Sequence, residues 1–168
     1  MPLIPGRRKR NWDEQPVEPR DIMLAGDGRR RFSKRAIAKA VALSASGSVA
    51  VVTIARIHGT QFGLPNPGLM PTKQEMKARH DWVGKGVDAI NAAGGDADGQ
   101  VAVTRKTTKT LARIARARGV KTIVIDETQY TGWRRFVEGD VGTELAKRLR
   151  ADGVEVIVIP YDPNDPKP

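Results

Sequence analysis

The stretch SVAVVTIARI, residues 48–57, decides the fold class. From Val49 to Ala55 it is apolar at nearly every position, with no alternation of polar side chains. A strand with one wet face alternates, whereas a strand covered on both faces does not. The run therefore predicts a buried strand in a parallel sheet with helices on both sides. Upstream of it, Ala36, Ile37, Ala40 and Val41 recur at helical spacing after Ser33, and Gly47 supplies a stop. Before that helix, residues 21–26 read as a short strand built on Ile22-Met23-Leu24-Ala25. Downstream, Thr72 and Glu75 have capping-box spacing. Met76, His80, Val83, Val87 and Ile90 line one face of the helix that follows, which stops at Gly94-Gly95. Residues 101–104 read as a short strand. Thr107 or Thr108 can cap the next helix, which carries Leu111, Ile114 and Ala115 and is closed by Gly119. Residues 120–125 form another strand. Val141, Leu145 and Leu149 line a last helix closed by Asp152-Gly153, and residues 154–159 are the final strand. Strand and helix thus alternate four times before a fifth strand. Such alternation calls for an α/β fold with a mostly parallel sheet and helices on both faces.

The chain has 168 residues, 39% of them hydrophobic, enough for one domain with a sizeable core. The absence of cysteine excludes a disulfide scaffold, thiolate metal sites and cysteine catalysis. The prolines cluster in residues 2–19, 65–71 and 160–168, which marks two tails and one loop. The expected organisation is a basic, proline-containing disordered tail over 1–19, a domain over 20–160 and a proline-rich tail over 161–168. No run of 18 apolar residues exists, so a cytoplasmic protein without a membrane partner is expected. The formal net charge is +10, which raises RNA, DNA or another polyanion as a partner. The charge is clustered. Arg29, Arg30, Arg31, Lys34, Arg35 and Lys39 form one group without an acid, and a second runs from Arg105 and Lys106 to Lys121.

In doubly wound sheets, ligands sit beyond the carboxyl ends of the strands where the winding reverses. After the first strand comes Asp27-Gly28-Arg29, then Ser33-Lys34-Arg35-Ala36-Ile37. After the fourth comes Asp126-Glu127, then Gln129-x2-Gly132-x9-Gly142-Thr143. In these two motifs, and in strand–helix order over about residues 20–160, the chain resembles the universal stress protein family. The resemblance implies a Rossmann-like five-stranded sheet of order 3-2-1-4-5, a homodimer paired through the last strand, and a regulatory or stress-protective role. It also implies an ATP site at the switch point, with Mg²⁺ where the triphosphate requires it. There Asp27 matches the family's nucleoside-side aspartate, and the end of strand two, near Ala55, packs on the same part of the ligand. Gly132, Gly142 and Thr143 match the phosphate loop, in which glycine lets backbone N–H groups approach an anion. Gln129 stands where the ATP-binding members have the loop's first glycine. Asp126 and Glu127 add negative charge, and Arg134 and Arg135 offer charge-assisted contacts in compensation.

Plainer roles exist for the same residues. Asp-Gly is a common turn pair, Gly132 suits a tight turn, and Gly142 suits close helix–sheet packing. His80 shares its helix stripe with Met76 and Val83 and reads as a partly buried histidine. The phosphoacceptor, Walker and serine-elbow motifs are absent, so no catalytic site and no enzyme activity are expected. The second reading is a polyanion-binding protein on the same fold without nucleotide.

Overall fold

The computed structural model describes residues 18–57, 70–127 and 140–164. Among them the elements run β1 (Ile22–Ala25), α1 (Lys34–Leu43), β2 (Val49–Arg56), α2 (Lys73–Ala92), β3 (Ala97–Thr104), α3 (Thr107–Ala117), β4 (Thr122–Asp126), α4 (Val141–Leu149), a 3-10 turn (Arg150–Asp152) and β5 (Glu155–Ile159). The strands form one sheet of order β3-β2-β1-β4-β5, and every pairing is parallel. β1 sits at its centre, with Met23 opposite Ala50 on one side and Ile123 on the other.

Side chains alternate across a strand, so each strand feeds two cores. Met23 and Ala25 pack with Leu111 of α3 and Leu145 and Leu149 of α4. Ile22 and Leu24 pack with Ala36 and Ala40 of α1 and with Val83, Val87 and Ile90 of α2. Helices α1 and α2 therefore cover one face and α3 and α4 the other, so the two basic clusters lie mainly on opposite faces.

The predicted caps of α1 and α2 are in place. Ser33 Oγ accepts from Ala36 N at 3.0 Å. Thr72 Oγ1 accepts from Glu75 N at 3.1 Å, while Glu75 Oε2 accepts from Thr72 N at 2.7 Å. α3 differs from expectation. Its N-cap is Lys106, with no capping side chain, and Thr107 and Thr108 already lie inside the helix. The start is displaced because Thr104 Oγ1 takes the Lys106 N–H at 3.0 Å and the Thr110 hydroxyl at 2.9 Å, while Thr107 Oγ1 accepts from Arg56.

β3 is twice as long as the four residues its apolar run suggests, because it begins at Ala97 and pairs with β2 along the whole strand. The added part, Ala97-Asp98-Gly99-Gln100, is polar and carries no strand signature of its own. It is held by charge. Asp98 Oδ1 accepts from Arg118 Nη1 at 2.7 Å and Asp98 Oδ2 from Arg118 Nη2 and Arg20 Nε, while Arg20 Nη1 also reaches Asp96 at 2.7 Å. Arg118 is only 2% exposed. Burial opposes the charge on Arg20, but the Asp98 and Asp96 carboxylates outweigh it and raise its pKa above the ordinary arginine value.

Most of the expected tails lies outside the described residues. Two positions inside those boundaries are bonded to the body. Glu18 gives its carbonyl to Arg118 Nε at 2.9 Å, and Tyr161 donates its N–H to Glu127 Oε2 at 2.9 Å.

Candidate ligand site at the carboxyl edge of the sheet

The winding reverses between β1 and β4, and the turns beyond them meet there. Asp27 is placed at this point, as its sequence position predicts, but one carboxylate oxygen is already engaged. Oδ1 accepts from Arg29 N at 2.9 Å, which makes an Asx turn. Gly28 has φ +82°, and a Cβ on it would lie 2.0 Å from the Ile54 carbonyl oxygen. The turn is thus pressed onto the end of β2, and only glycine allows that approach. Across the crevice, both Asp126 oxygens are bound by Ser33, Oδ2 by its N–H at 2.9 Å and Oδ1 by its hydroxyl. Arg30 donates to the Glu127 carbonyl at 2.7 Å and lies 5.4 Å from the Tyr161 ring centroid. The space left among Asp27, Arg30, Arg31, Phe32 and Asp126 is about 10 Å³, room for a single water.

The phosphate-side candidates are also employed locally. Gly142 N donates to Asp140 Oδ1 at 3.2 Å and Thr143 Oγ1 to Asp140 Oδ2 at 2.8 Å, so a carboxylate caps the start of α4. A Cβ on Gly142 would stand 2.9 Å from Val158 Cγ2, which ties this glycine to helix–sheet packing. Ala55 is 1% exposed, with its methyl in the core under α1 and α2. Gln129 and Gly132 lie outside the described residues, as do Arg134 and Arg135. The described candidates therefore share one edge of the sheet, and each has a local structural role there.

The hollow at this edge lies beside them, toward the end of β2 and between α3 and α4. It encloses about 490 Å³, within the size range of small-molecule sites. Five cationic side chains line it, Arg56, Arg105, Lys106, Lys109 and Arg148, against one carboxylate, Glu144. The sequence marks Arg105 and Lys106 as cations at a helix start. Arg56 and Arg148 escape a linear reading. Arg56 ends an apolar strand, Arg148 falls in the last turn of a different helix, and only the parallel winding brings them together. One cue was present in Arg56, a charge at the carboxyl end of an otherwise apolar strand. Among the described residues, no group of three His, Cys, Asp or Glu could hold a metal ion.

Comparison with solved structures identifies this architecture. A universal stress family protein from Burkholderia pseudomallei is 20% identical, with a TM-score of 0.57 over 83% of this chain and 95% of that one. A universal stress protein in complex with cAMP is 16% identical, with a TM-score of 0.61 over 86% and 99%. One from Archaeoglobus fulgidus in complex with dAMP is 18% identical, with a TM-score of 0.57 over 86% and 99%. The chain has the universal stress protein fold. Comparisons with protein-family models and with curated proteins find no match. On the universal stress fold, the sheet order agrees with the motif reading, while the hollow of about 490 Å³ lies toward α3 from the Asp27 turn. Among the described residues, no helix is long and apolar enough to cross a membrane.

Proposed function

We propose that this chain is a universal-stress-like regulatory or stress-protective protein, cytoplasmic and without catalytic activity, that binds an adenine nucleotide at the carboxyl edge of its sheet. The observation that carries this reading is the hollow of about 490 Å³ with its five cations, at the edge where doubly wound sheets bind ligands. Two structures of the same fold hold cAMP and dAMP, which supports an adenine nucleotide as the ligand class. ATP is one such nucleotide, and any Mg²⁺ would arrive on its phosphates. Asp27, in the adjoining β1 turn and not on the wall of the hollow, is assigned to the nucleoside side by the motif resemblance.

The test is isothermal calorimetry of the full chain with Mg-ATP, AMP and cAMP. Saturable heat with at least one of them is expected. No heat with any of the three would sink the reading.

The same cationic wall favours a second reading, a single-stranded or structured RNA whose backbone crosses the hollow. Affinity for RNA would fall steeply with salt, whereas a nucleotide in a pocket responds less. Binding of a 20-nucleotide RNA without any nucleotide heat would select the second reading.

A further inference from the structure

We infer that the β3–α3 turn is an oligophosphate site, in which Arg56, Arg105, Lys106, Lys109 and the open first turn of α3 hold a chain of two or more phosphates. The inference rests on reading the carboxyl edge as a ligand site and specifies where the phosphates go.

Two helix starts line the hollow, and they differ in charge. At α4, the Asp140 carboxylate already takes the Gly142 N–H and the Thr143 hydroxyl. An anion approaching there meets an anion. At α3, no side chain caps the helix and the first turn contains no acid. Its leading N–H groups and the positive end of its dipole are left for a ligand.

The side chains around that turn reinforce the difference. Arg56 Nη2 is held at 3.2 Å from Thr107 Oγ1, which fixes its guanidinium beside the first turn. The Arg105 guanidinium has no hydrogen bond or ion pair among the described residues, although its Nη2 is buried. A buried donor without a partner is costly, and a phosphate oxygen supplies the partner. Lys106 and Lys109 are exposed on the rim and form no ion pair among the described residues. Glu144, the one acid on the wall, belongs to α4 and so turns the most negative part of a ligand toward α3.

Charge and volume set the ligand class. A single phosphate carries about −2 at most, less than the five cations can balance. The hollow is also far larger than one phosphate. A diphosphate or triphosphate, free or at the end of a nucleotide, suits both.

The test uses pyrophosphate, inorganic phosphate, ATP and adenosine with the full chain, by calorimetry and by amide NMR. Pyrophosphate should bind more tightly than phosphate and shift the Thr107, Thr108 and Lys109 amides. Lys106→Glu/Lys109→Glu should weaken pyrophosphate by at least about tenfold. Arg113→Glu/Lys121→Glu makes the same charge change at exposed positions away from the hollow and should leave affinity within about twofold. All four positions are exposed, so both variants should keep the parent melting temperature. Absence of pyrophosphate binding, or equal losses in the two variants, would overturn the site. If ATP binds but pyrophosphate does not compete, the oligophosphate site fails while the nucleotide reading stands. If pyrophosphate binds as stated and neither adenosine nor ATP does, the site stands and the nucleotide reading fails.

Discussion

Asp98 and Gly28 show how single residues shape this edge-loaded sheet. Asp98 neutralises Arg118, which is 2% exposed, and shares in holding Arg20. Removing one partner of a buried pair leaves an uncompensated charge, at a cost of about 3–5 kcal/mol. Asp98→Ala should lose that much in urea unfolding. Asp98→Leu with Arg118→Met should recover part of it, because the Arg118 charge is gone while Arg20 keeps Asp96 and Glu18 as partners. A loss below about 1 kcal/mol in the single variant would show that solvent compensates Arg118. Gly28 is constrained twice, by φ +82° and by the Ile54 carbonyl 2.0 Å from its absent Cβ. The left-handed backbone alone costs an ordinary residue about 1–2 kcal/mol. Gly28→Ala should exceed that figure and shift the Asp27 turn, visible as amide shifts at Asp27 and Arg29. Unchanged stability in Gly28→Ala would mean that the turn can relax away from β2.

The helix starts carry the chemistry at the level of elements. Ser33 caps α1 and at the same time binds both oxygens of Asp126 at the end of β4, so one hydroxyl links two elements across the switch point. Ser33→Ala should cost about 1–2 kcal/mol, in the upper range for a lost cap. It should also loosen the Asp126 side of the crevice, seen as faster amide exchange in the first turn of α1. Stability unchanged within error would contradict the linked role. The start of α3 is the converse case. Four threonines and two lysines surround it, yet none caps it with a side chain, because Thr104 and Thr107 hydroxyls are turned to other partners. An unsatisfied helix start at an open, cationic edge is what separates this element from α1, α2 and α4.

For the molecule as a whole, the edges of the sheet matter. β5 is an outer strand, and its side toward α1 is only partly covered. Ile157 belongs to neither core cluster, whereas Val156 packs under α3 and α4 and Ile159 packs on the other face. A long apolar edge invites pairing unless it is covered. The chain should therefore sediment as a dimer at micromolar concentration. Ile157→Lys should shift it to monomer with little change in melting temperature, because Ile157 is only half-buried and belongs to neither core cluster. A monomeric wild type would rule out pairing through β5.

Much of this architecture was legible in the linear chain, because local physics dictates it. The nearly continuous apolar run from Val49 to Ile54 calls for cover on both faces, and the caps at Ser33 and Thr72 act within one turn of the chain. Glycine stops at Gly119 and Gly153 are equally local, with φ of +66° and +70°. What depended on distant partners was not legible. The polar start of β3 is a strand because Arg118 and Arg20 neutralise Asp98 and β2 offers it a full edge. The cap of α3 moved to Lys106 because Thr104 and Arg56 claimed the nearby hydroxyls and amide. At the ligand edge, sequence order placed Asp27, Gly142 and Thr143 together, but their hydrogen bonds to Arg29 and Asp140 emerged only on folding. The cationic hollow brings together Arg56, Arg105 and Arg148 from three elements. Proximity of that kind is a property of the winding of the sheet, since no spacing along the chain encodes it.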